Sequence, residues 1–260
     1  MTDDASVLDS FSLEGSVAVV TGGTRGIGRA ISVGLAEAGA DVVPVSRTEG
    51  DVERAVSAVR DWGSRSFVAT LDVTDEQAVR ELIDRTADEL GGLDILVNNA
   101  GINPQDALGR PEQVDVAAFD RTVDVNLRGA FACLNASGEL LRDGEGSVIN
   151  VASIGGIVGL PRQHPYVATK HGLVGMTKSM ALDWAPEVRV NAIAPGYVAT
   201  ELTEELREND RLRQSILDRT PLERFADPAE IAGPAVFLAS DAASYLTGTV
   251  VTADGGWTAR

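Results

Sequence analysis

Short apolar runs rich in Val and Ile alternate along this chain with segments whose apolar residues recur at helical spacing. Runs that are apolar at consecutive positions are typical of strands buried on both faces of a parallel sheet. Seven runs have this character: Val17–Val20, Asp41–Val45, Ser66–Leu71, Ile95–Asn98, Ser147–Val151, Arg189–Ile193 and Thr249–Thr252. The pattern therefore predicts an α/β fold. We expect a single doubly wound domain over residues 1–260, with about seven parallel strands and helices on both faces.

Several local signals mark the ends of the predicted helices. A helix is expected over residues 26–38, and another from Thr74, because Thr74 and Gln77 have the spacing of a capping box. Asp227 followed by Pro228 indicates a further helix start. The segment 201–219 is the most polar helical stretch, and we interpret it as a candidate mobile flap over the substrate.

The charge balance is strongly acidic, with 22 basic and 39 acidic residues and a net charge of −17. Such a field repels nucleic acid and anionic lipid, so neither is an expected partner. Only Lys170 and Lys178 are lysines. An acidic, lysine-poor composition favours a halophilic host, where salt screens the repulsion over a few Å. The alternative is an ordinary acidic protein from an arginine-rich genome.

Cysteine and histidine are scarce, since Cys133 is the only cysteine and the chain has two histidines. This composition excludes an internal disulfide framework and argues against a structural metal site. The acidic start of the chain lacks the features of a signal peptide, and no apolar run is long enough for a bilayer. We therefore expect a cytoplasmic protein without a membrane partner.

A glycine-rich turn, Thr21–Gly28, lies between the first predicted strand and the first predicted helix. Glycines allow a tight turn and a close approach of the backbone to a pyrophosphate, and the helix N-terminus supplies N–H donors. The spacing of Gly22, Gly26 and Gly28 differs from the common dinucleotide fingerprint. Its position between strand and helix nevertheless favours a dinucleotide site.

Tyr166 and Lys170 stand four residues apart on a helix expected to begin near Pro165, and therefore share one face. A free tyrosine titrates near ~10, and bringing it near 7 requires about three pKa units, or roughly 4 kcal/mol. A lysine one turn away favours the phenolate. Ser153 ends a predicted strand, where α/β sheets bind ligands, and its hydroxyl can hold a substrate oxygen. Arginine could not replace Lys170 in a proton relay, because it does not deprotonate.

These motifs, in this order, resemble the short-chain dehydrogenase/reductase family from residue 17 to residue 256. The resemblance rests on Thr21–Gly28, Asp72, Asn98–Gly101, Asn126, Ser153, the Tyr166–Lys170 motif and Pro195-Gly196. It implies a Rossmann fold, an NAD(P)-dependent enzyme acting on CH–OH groups, and a homotetramer. It also implies that Asn126 holds a water that links Lys170 to solvent, which gives the catalytic set Asn126, Ser153, Tyr166 and Lys170.

The resemblance further assigns a cofactor site along the carboxyl edge of the sheet. Asp72 would bind the adenine, Asn98–Gly101 would steady the central strands, and Thr200 would bond the nicotinamide carboxamide. The full expected set is Gly22, Thr24, Arg25, Gly26, Ile27, Gly28, Ser46, Arg47, Asp72, Val73, Asn99, Ala100, Gly101, Tyr166, Lys170, Pro195, Gly196, Val198 and Thr200.

The end of the second strand indicates the cofactor. Members of this family that prefer NAD usually have an acidic residue there, whereas this chain has Ser46 followed by Arg47. Arg25 adds a second cation, and guanidinium groups suit a 2′-phosphate. We therefore expect NADP to be preferred, with NAD possible.

The substrate is less closely defined. Residues 194–200, 216–221 and 254–257 resemble gluconate 5-dehydrogenases and 2-keto-3-deoxy sugar-acid dehydrogenases, which implies a hydride transfer on a sugar acid. Two alternatives stay open: a 3-oxoacyl thioester reductase and a non-catalytic dinucleotide-binding regulator. The segment between Ser153 and Tyr166 must cross the mouth of the site, and it turns polar at Arg162. Arginine matches carboxylate geometry, so Arg162 is the expected carboxylate-binding residue, together with Ser153 on the substrate oxygen.

Overall fold

The computed structural model describes residues 6–259 and is built on one parallel sheet. Its strands are β1 (Val17–Thr21), β2 (Asp41–Val45), β3 (Ile95–Asn98), β4 (Ser147–Val151), β5 (Arg189–Pro195) and β6 (Val250–Ala253). They lie side by side in the order β2-β1-β3-β4-β5-β6, and every neighbouring pair is parallel. The doubly wound α/β fold predicted from the sequence is therefore confirmed.

The strand count differs from the prediction, because six strands rather than about seven form the sheet within residues 6–259. The predicted strand Ser66–Leu71 runs beside β2 but makes only one isolated bridge with it. The N–H of Val42 faces this segment, and the next backbone nitrogen on that side belongs to Pro44, which carries no hydrogen. The hydroxyl of Ser66 also donates a hydrogen bond to the carbonyl oxygen of Val42. The missing donor interrupts the ladder before a seventh strand can form.

Helices cover both faces of the sheet. They are α1 (Gly26–Glu37), α2 (Glu49–Arg60), α3 (Glu76–Leu90), α4 (Val116–Val123), α5 (Gly129–Asp143), α6 (His164–Trp184), α7 (Glu204–Glu208), α8 (Asp210–Leu217) and α9 (Ala229–Ala239). In β1, Ala18 and Val20 pack on the face with α1 and α9, whereas Val17 and Val19 pack on the face with α3 and α5. Both sets are buried, which is why the strand sequences are apolar without alternation.

One predicted helix start is wrong in detail. Asp75, not Thr74, caps α3, because its carboxylate accepts the N–H groups of Gln77 and Ala78. Thr74 is occupied instead, since its hydroxyl and its N–H both donate to Asp72. The polar segment 201–219 is helical as predicted and contains α7 and α8. Within residues 6–259, no helix combines the length and apolar character that crossing a bilayer requires.

Candidate active site

The strand order creates a crevice at the carboxyl edge of the sheet. The chain leaves β1 toward β2 on one side, whereas β3 lies on the other side of β1. Ligands of doubly wound sheets bind in the crevice at such a switch point. The glycine turn follows β1, Asn99 follows β3, Ser153 follows β4 and Gly196 follows β5. The sheet therefore brings together segments that are far apart in sequence.

The glycine turn is packed too tightly for side chains. A Cβ on Gly28 would lie 2.1 Å from the carbonyl oxygen of Gly22 and 2.4 Å from Nδ2 of Asn99. That amide donates to the carbonyls of Thr21 and Gly22, both at 3.0 Å. Asn99 thus fixes the turn against the end of β3, which fits the steadying role that the resemblance implied for it.

The N-terminus of α1 opens into this crevice without a side-chain cap. Arg25 precedes the helix in an extended conformation, and its side chain makes no capping bond. Asp75, Asp115 and Asn209, by contrast, cap α3, α4 and α8 with side-chain oxygens. Free N–H groups and the helix dipole attract an anion, so this end of α1 suits a pyrophosphate. A Cβ on Gly26 would lie 3.1 Å from Thr200 Cγ2, so Thr200 adjoins the same turn.

The expected adenosine-binding residues lie together at the β2 end of the crevice. The hydroxyl of Thr24 donates to Ser46 Oγ at 3.0 Å. Asp72 accepts both bonds from Thr74 on Oδ1, which leaves Oδ2 to accept from an adenine. The backbone bond from Thr74 lowers the pKa of Asp72, and the nearby charge of Arg47 adds to this effect. Arg47 is exposed and therefore accessible to a phosphate.

Arg25 has a partner that the sequence did not suggest. Its guanidinium Nη1 lies 2.7 Å from Oε2 of Glu201, at the start of the polar segment 201–219. Both side chains are about two-thirds exposed, at 66% and 68%, so the pair adds little stability. The contact nevertheless joins the glycine turn to the polar segment.

Lys170 and Tyr166 stand on the first turns of α6, as predicted. Lys170 is 4% exposed, and its Nζ donates to the carbonyl of Val151 at 2.7 Å and lies 5.6 Å from the ring centroid of Tyr166. Ser153 is buried, and its Oγ accepts the N–H of Gly155 at 3.0 Å. A Cβ on Gly155 would lie 3.5 Å from Tyr166 Cε1, so the serine turn and the tyrosine are in contact.

Burial dominates the protonation of this group. Desolvation raises the pKa of Tyr166, and a hydrogen bond with Ser153 opposes that effect. Desolvation also lowers the pKa of Lys170 to about 8, so the lysine is still mostly protonated at neutral pH. Because burial raises the pKa of Tyr166, a phenol pKa near 7 stays a prediction.

Asn126 lies in a π-helical turn, Asp124–Arg128, between α4 and α5. Its Oδ1 accepts the N–H of Ile102 at 2.7 Å, and its Nδ2 donates to the carbonyl of Ile102 at 2.9 Å. A Cβ on Gly101 would lie 3.4 Å from Asn126 Oδ1 and 3.7 Å from Lys170 Nζ. The absence of that side chain leaves Asn126 and Lys170 close together. Turns of the π type often mark functional sites.

The remaining expected cofactor residues follow the same edge. Ile27 lies in the first turn of α1, Val73 and Val198 are buried, and Ala100 donates its N–H to Thr21 Oγ1 at 3.1 Å. Pro195 ends β5, and the N–H of Gly196 donates to the carbonyl of Ala253 at 3.0 Å. Thr200 lies opposite the N-terminus of α1, as described above.

Arg162 is exposed, and its backbone adopts the left-handed conformation with φ of 62°. Its carbonyl accepts the N–H of Gly109 at 3.0 Å, which ties the preceding loop to the segment before Tyr166. The neighbouring Gln163 accepts a hydrogen bond from Asn103 at 2.8 Å. The structure therefore leaves Arg162 exposed in the segment that leads to Tyr166, and its role stays a prediction.

Sequence reasoning did not find a cluster at the end of β5. Tyr197 packs edge-on against Trp257, with ring centroids 6.1 Å apart, and both belong to the apolar cluster around Leu160. The guanidinium of Arg219 lies 4.3 Å from the centroid of the Trp257 ring. The sequence pointed to the segments that carry Tyr197, Arg219 and Trp257 only through their resemblance to sugar-acid dehydrogenases. The contacts between them depend on the folded chain.

An open parallel sheet, a glycine turn ending at an uncapped helix, and a serine, tyrosine and lysine at the same edge define a dinucleotide-dependent oxidoreductase. Residues 22–258 match the family model described as enoyl-(acyl carrier protein) reductase. The chain is 40% identical to 2-dehydro-3-deoxy-D-gluconate 5-dehydrogenase of Escherichia coli K12, covering 98% of this chain and all of that protein. The chain therefore belongs to the short-chain dehydrogenase/reductase family, as the motifs indicated.

Two further similarities bear on the substrate. The chain is also 40% identical to a 3-oxoacyl-(acyl-carrier-protein) reductase of Staphylococcus aureus Mu50, over 92% of this chain and 96% of that one. A gluconate 5-dehydrogenase from Burkholderia cenocepacia J2315, solved in complex with NADP and tartrate, superposes with a TM-score of 0.93. It is 35% identical, covering 98% of this chain and 100% of that chain.

Proposed function

We propose that this protein transfers a hydride between NADP and a secondary alcohol or ketone of a sugar acid. One observation carries the proposal: Ser153, Tyr166 and Lys170 meet at the carboxyl edge of the sheet, beside the uncapped N-terminus of α1. This geometry joins a proton-transfer group to a dinucleotide site. It disfavours the alternative of a non-catalytic regulator, which would not need a buried lysine beside the tyrosine.

Each of the catalytic residues has a separate role in the proposed reaction. Ser153 holds the substrate oxygen, and Tyr166 donates a proton to it during reduction or accepts one during oxidation. Lys170, whose pKa is lowered to about 8 by burial, keeps positive charge near the phenol at neutral pH. Asn126 extends the proton path from Lys170 through a water toward solvent. The buried walls of the crevice limit competing reactions with water.

The cofactor site fits NADP. Bound NADP would supply the nicotinamide that accepts or donates the hydride. The N–H groups of Gly26, Ile27 and Gly28 at the uncapped start of α1 would hold the pyrophosphate, and Asp72 with Val73 would hold the adenine. Arg47 and Arg25 offer guanidinium groups to the 2′-phosphate, and no acidic residue follows β2 directly. The Burkholderia relative solved with NADP supports this choice, whereas NAD is the weaker candidate.

The sugar-acid assignment is supported by the dehydrogenases named above, of which the Escherichia coli relative matches over 98% of this chain and all of its own length. The second candidate is a 3-oxoacyl thioester reductase, supported by a relative of equal identity. An acyl thioester has its anionic groups far from the reacting carbon. A sugar acid has its carboxylate a few bonds away, so an arginine at the crevice would serve it better.

The test is a substrate panel with both cofactors. The panel contains D-gluconate, 2-dehydro-3-deoxy-D-gluconate, a 3-oxoacyl thioester and neutral sugars, and kcat/KM is measured for each. We expect the highest value for a sugar acid with NADP. A higher value for the thioester would replace the sugar-acid proposal with the second candidate.

Tyr166→Phe tests the catalytic assignment. We expect turnover to fall at least a hundredfold, because the variant has no proton to transfer, whereas NADPH binding measured by its fluorescence stays unchanged. A variant that kept more than a tenth of the wild-type kcat would mean that another group donates the proton. No turnover of any panel member by wild-type protein would favour the regulator.

The predictions on assembly, motion and environment belong to the same proposal. We expect a homotetramer, which analytical ultracentrifugation tests directly. The segment 201–219 acts as a flap over the substrate, and its amide hydrogen exchange should slow when NADP and a sugar acid bind together. A high-salt cytoplasm is supported by the charge of −17 and the scarcity of lysine.

A further inference from the structure

We infer that Arg219, stacked on the indole of Trp257 beside Tyr197, binds the carboxylate of the substrate. The inference rests on the proposed function, since it concerns the anionic end of a sugar acid. It assigns this role to a different arginine from Arg162, which the sequence indicated. It also makes the C-terminal turn part of the substrate site.

The first argument is position. Trp257 belongs to the same buried cluster as Leu160, and a Cβ on Gly155 would lie 3.1 Å from Leu160 Cδ1 and 3.5 Å from Tyr166 Cε1. Tyr197 packs against this cluster and lies edge-on to Trp257, with ring centroids 6.1 Å apart. The cluster therefore extends from the neighbourhood of the catalytic tyrosine to the indole that carries the guanidinium of Arg219.

The second argument is orientation. The guanidinium of Arg219 lies 4.3 Å from the ring centroid of Trp257, and stacking of this kind holds the donor fork in one plane. The segment that carries Arg219 is anchored, because Leu222 donates its N–H to the carbonyl of Gly255 at 3.2 Å. A Cβ on Gly256 would lie 2.9 Å from Pro221, so the two chain segments pack without space between them.

The third argument is the lack of competing partners. Seven arginines form ion pairs among residues 6–259, and Arg219 is not one of them, although the chain is strongly acidic. The carboxylate of Asp254, in the same turn as Trp257, already accepts hydrogen bonds from Gly256 and Thr258. A guanidinium without a carboxylate partner is available to a ligand carboxylate.

A fourth observation points to a ligand independently. Trp257 is only 7% exposed, and its indole Nε1 is buried. Within the described part of the chain, this N–H has no hydrogen-bond partner. A buried donor without an acceptor costs free energy unless an acceptor arrives. Arg219 and Trp257 thus contribute only donors, which suits an anion. Arg162 and Arg219 are both exposed, but within residues 6–259 only Arg219 of the two lies over an aromatic ring.

The test compares an acid with its matched amide. The acid is the panel member that wild-type protein turns over best, such as D-gluconate, and the amide is D-gluconamide or its equivalent. The variants are Arg219→Ala, Trp257→Phe and Arg162→Ala. Arg142→Ala is the matched control, because Arg142 is an exposed arginine on α5, outside the proposed site and the segment 201–219, and its replacement removes the same charge.

We expect Arg219→Ala to raise KM for the acid at least tenfold, or about 1.4 kcal/mol, with kcat changed less than threefold. KM for the amide should change less than twofold. Trp257→Phe keeps an aromatic ring but removes the indole N–H, and it should raise KM for the acid severalfold. Arg142→Ala should leave KM for both substrates within twofold of the wild-type values. NADPH binding and Tm check that each variant is folded.

The outcomes separate the two proposals. If wild-type protein favours the acid but Arg219→Ala changes KM for acid and amide equally or not at all, the Arg219 inference is wrong and the sugar-acid proposal stands. A selective effect in Arg162→Ala alone would assign the carboxylate to Arg162. If wild-type protein turns over no acid, both proposals fail.

Discussion

Replacing the buried lysine by methionine should make the protein more stable and at the same time inactive. Lys170 is 4% exposed, and burial lowers its pKa from 10.5 to about 8. A shift of that size corresponds to about 3 kcal/mol by which the folded state disfavours the charge. Lys170→Met removes the charge and also the hydrogen bond to Val151. Loss of that hydrogen bond costs about 1–2 kcal/mol and offsets part of the gain from removing the charge. We expect a net stabilisation of roughly 1–2 kcal/mol at pH 7, or a Tm higher by roughly 2–8 °C.

The stability difference between the wild-type protein and Lys170→Met should depend on pH, because the pKa of Lys170 differs between the folded and the unfolded protein. Below pH 8, Lys170 is charged in both the folded and the unfolded protein, so the full penalty is present. Between pH 8 and 10.5, the unfolded chain binds more protons than the folded protein, and the wild-type protein therefore gains stability with rising pH. The advantage of Lys170→Met should be largest at pH 7 and disappear toward pH 10.

The assay is thermal unfolding of nucleotide-free protein at pH 7 and pH 9.5, at matched protein concentration. Lys178→Met is the control, because Lys178 lies on the same helix, is exposed, and is the only other lysine. It should change Tm by less than about 1 °C at either pH, as surface substitutions usually do. A Lys170→Met variant that is less stable at pH 7, or whose difference from wild type does not depend on pH, would refute the reasoning.

Three further predictions concern the cofactor site and the surface. Gly28→Ala should weaken NADPH binding at least tenfold, because its Cβ would lie 2.1 Å from Gly22 O, whereas Gly175→Ala, which meets nothing within 4 Å, should bind normally in the same fluorescence titration. Wild-type protein should show a higher kcat/KM with NADP than with NAD, and Arg47→Ala should lower only the NADP value, by about tenfold; a higher wild-type value for NAD would contradict the assignment. Tm should rise by several degrees between dilute buffer and molar KCl, because salt screens the net charge of −17; an unchanged Tm would remove the halophile interpretation.

Local patterns in the sequence were enough to predict most of the sheet. The strands β2, β3 and β4 have the bounds that their apolar runs predicted. The failure at Ser66–Leu71 has a physical cause in another segment, since Pro44 belongs to β2. A strand needs a partner with donors, and an apolar run alone does not specify one.

The site was predictable only where its residues follow one another closely. The glycine turn and the pair Tyr166 and Lys170 were found because spacing fixes their geometry on a turn and a helix. The contact between Arg25 and Glu201 joins positions 176 residues apart, and no local pattern indicates it. The stacking of Arg219 on Trp257 is of the same kind. Both contacts exist because the strand order brings separate loops to one edge.

A chain of three buried polar side chains has a consequence for how this protein can vary. Asn98 on β3 donates to Asn150 on β4 at 3.0 Å, and Asn150 donates to Thr177 on α6 at 2.9 Å. A slip of one strand by a single residue would leave these amides without partners in the interior. These hydrogen bonds therefore fix the position of the helix that carries Tyr166 and Lys170 relative to the strands that carry the cofactor loops. Residues 201–222 make none of these hydrogen bonds, so the sequence of that segment can vary without breaking them.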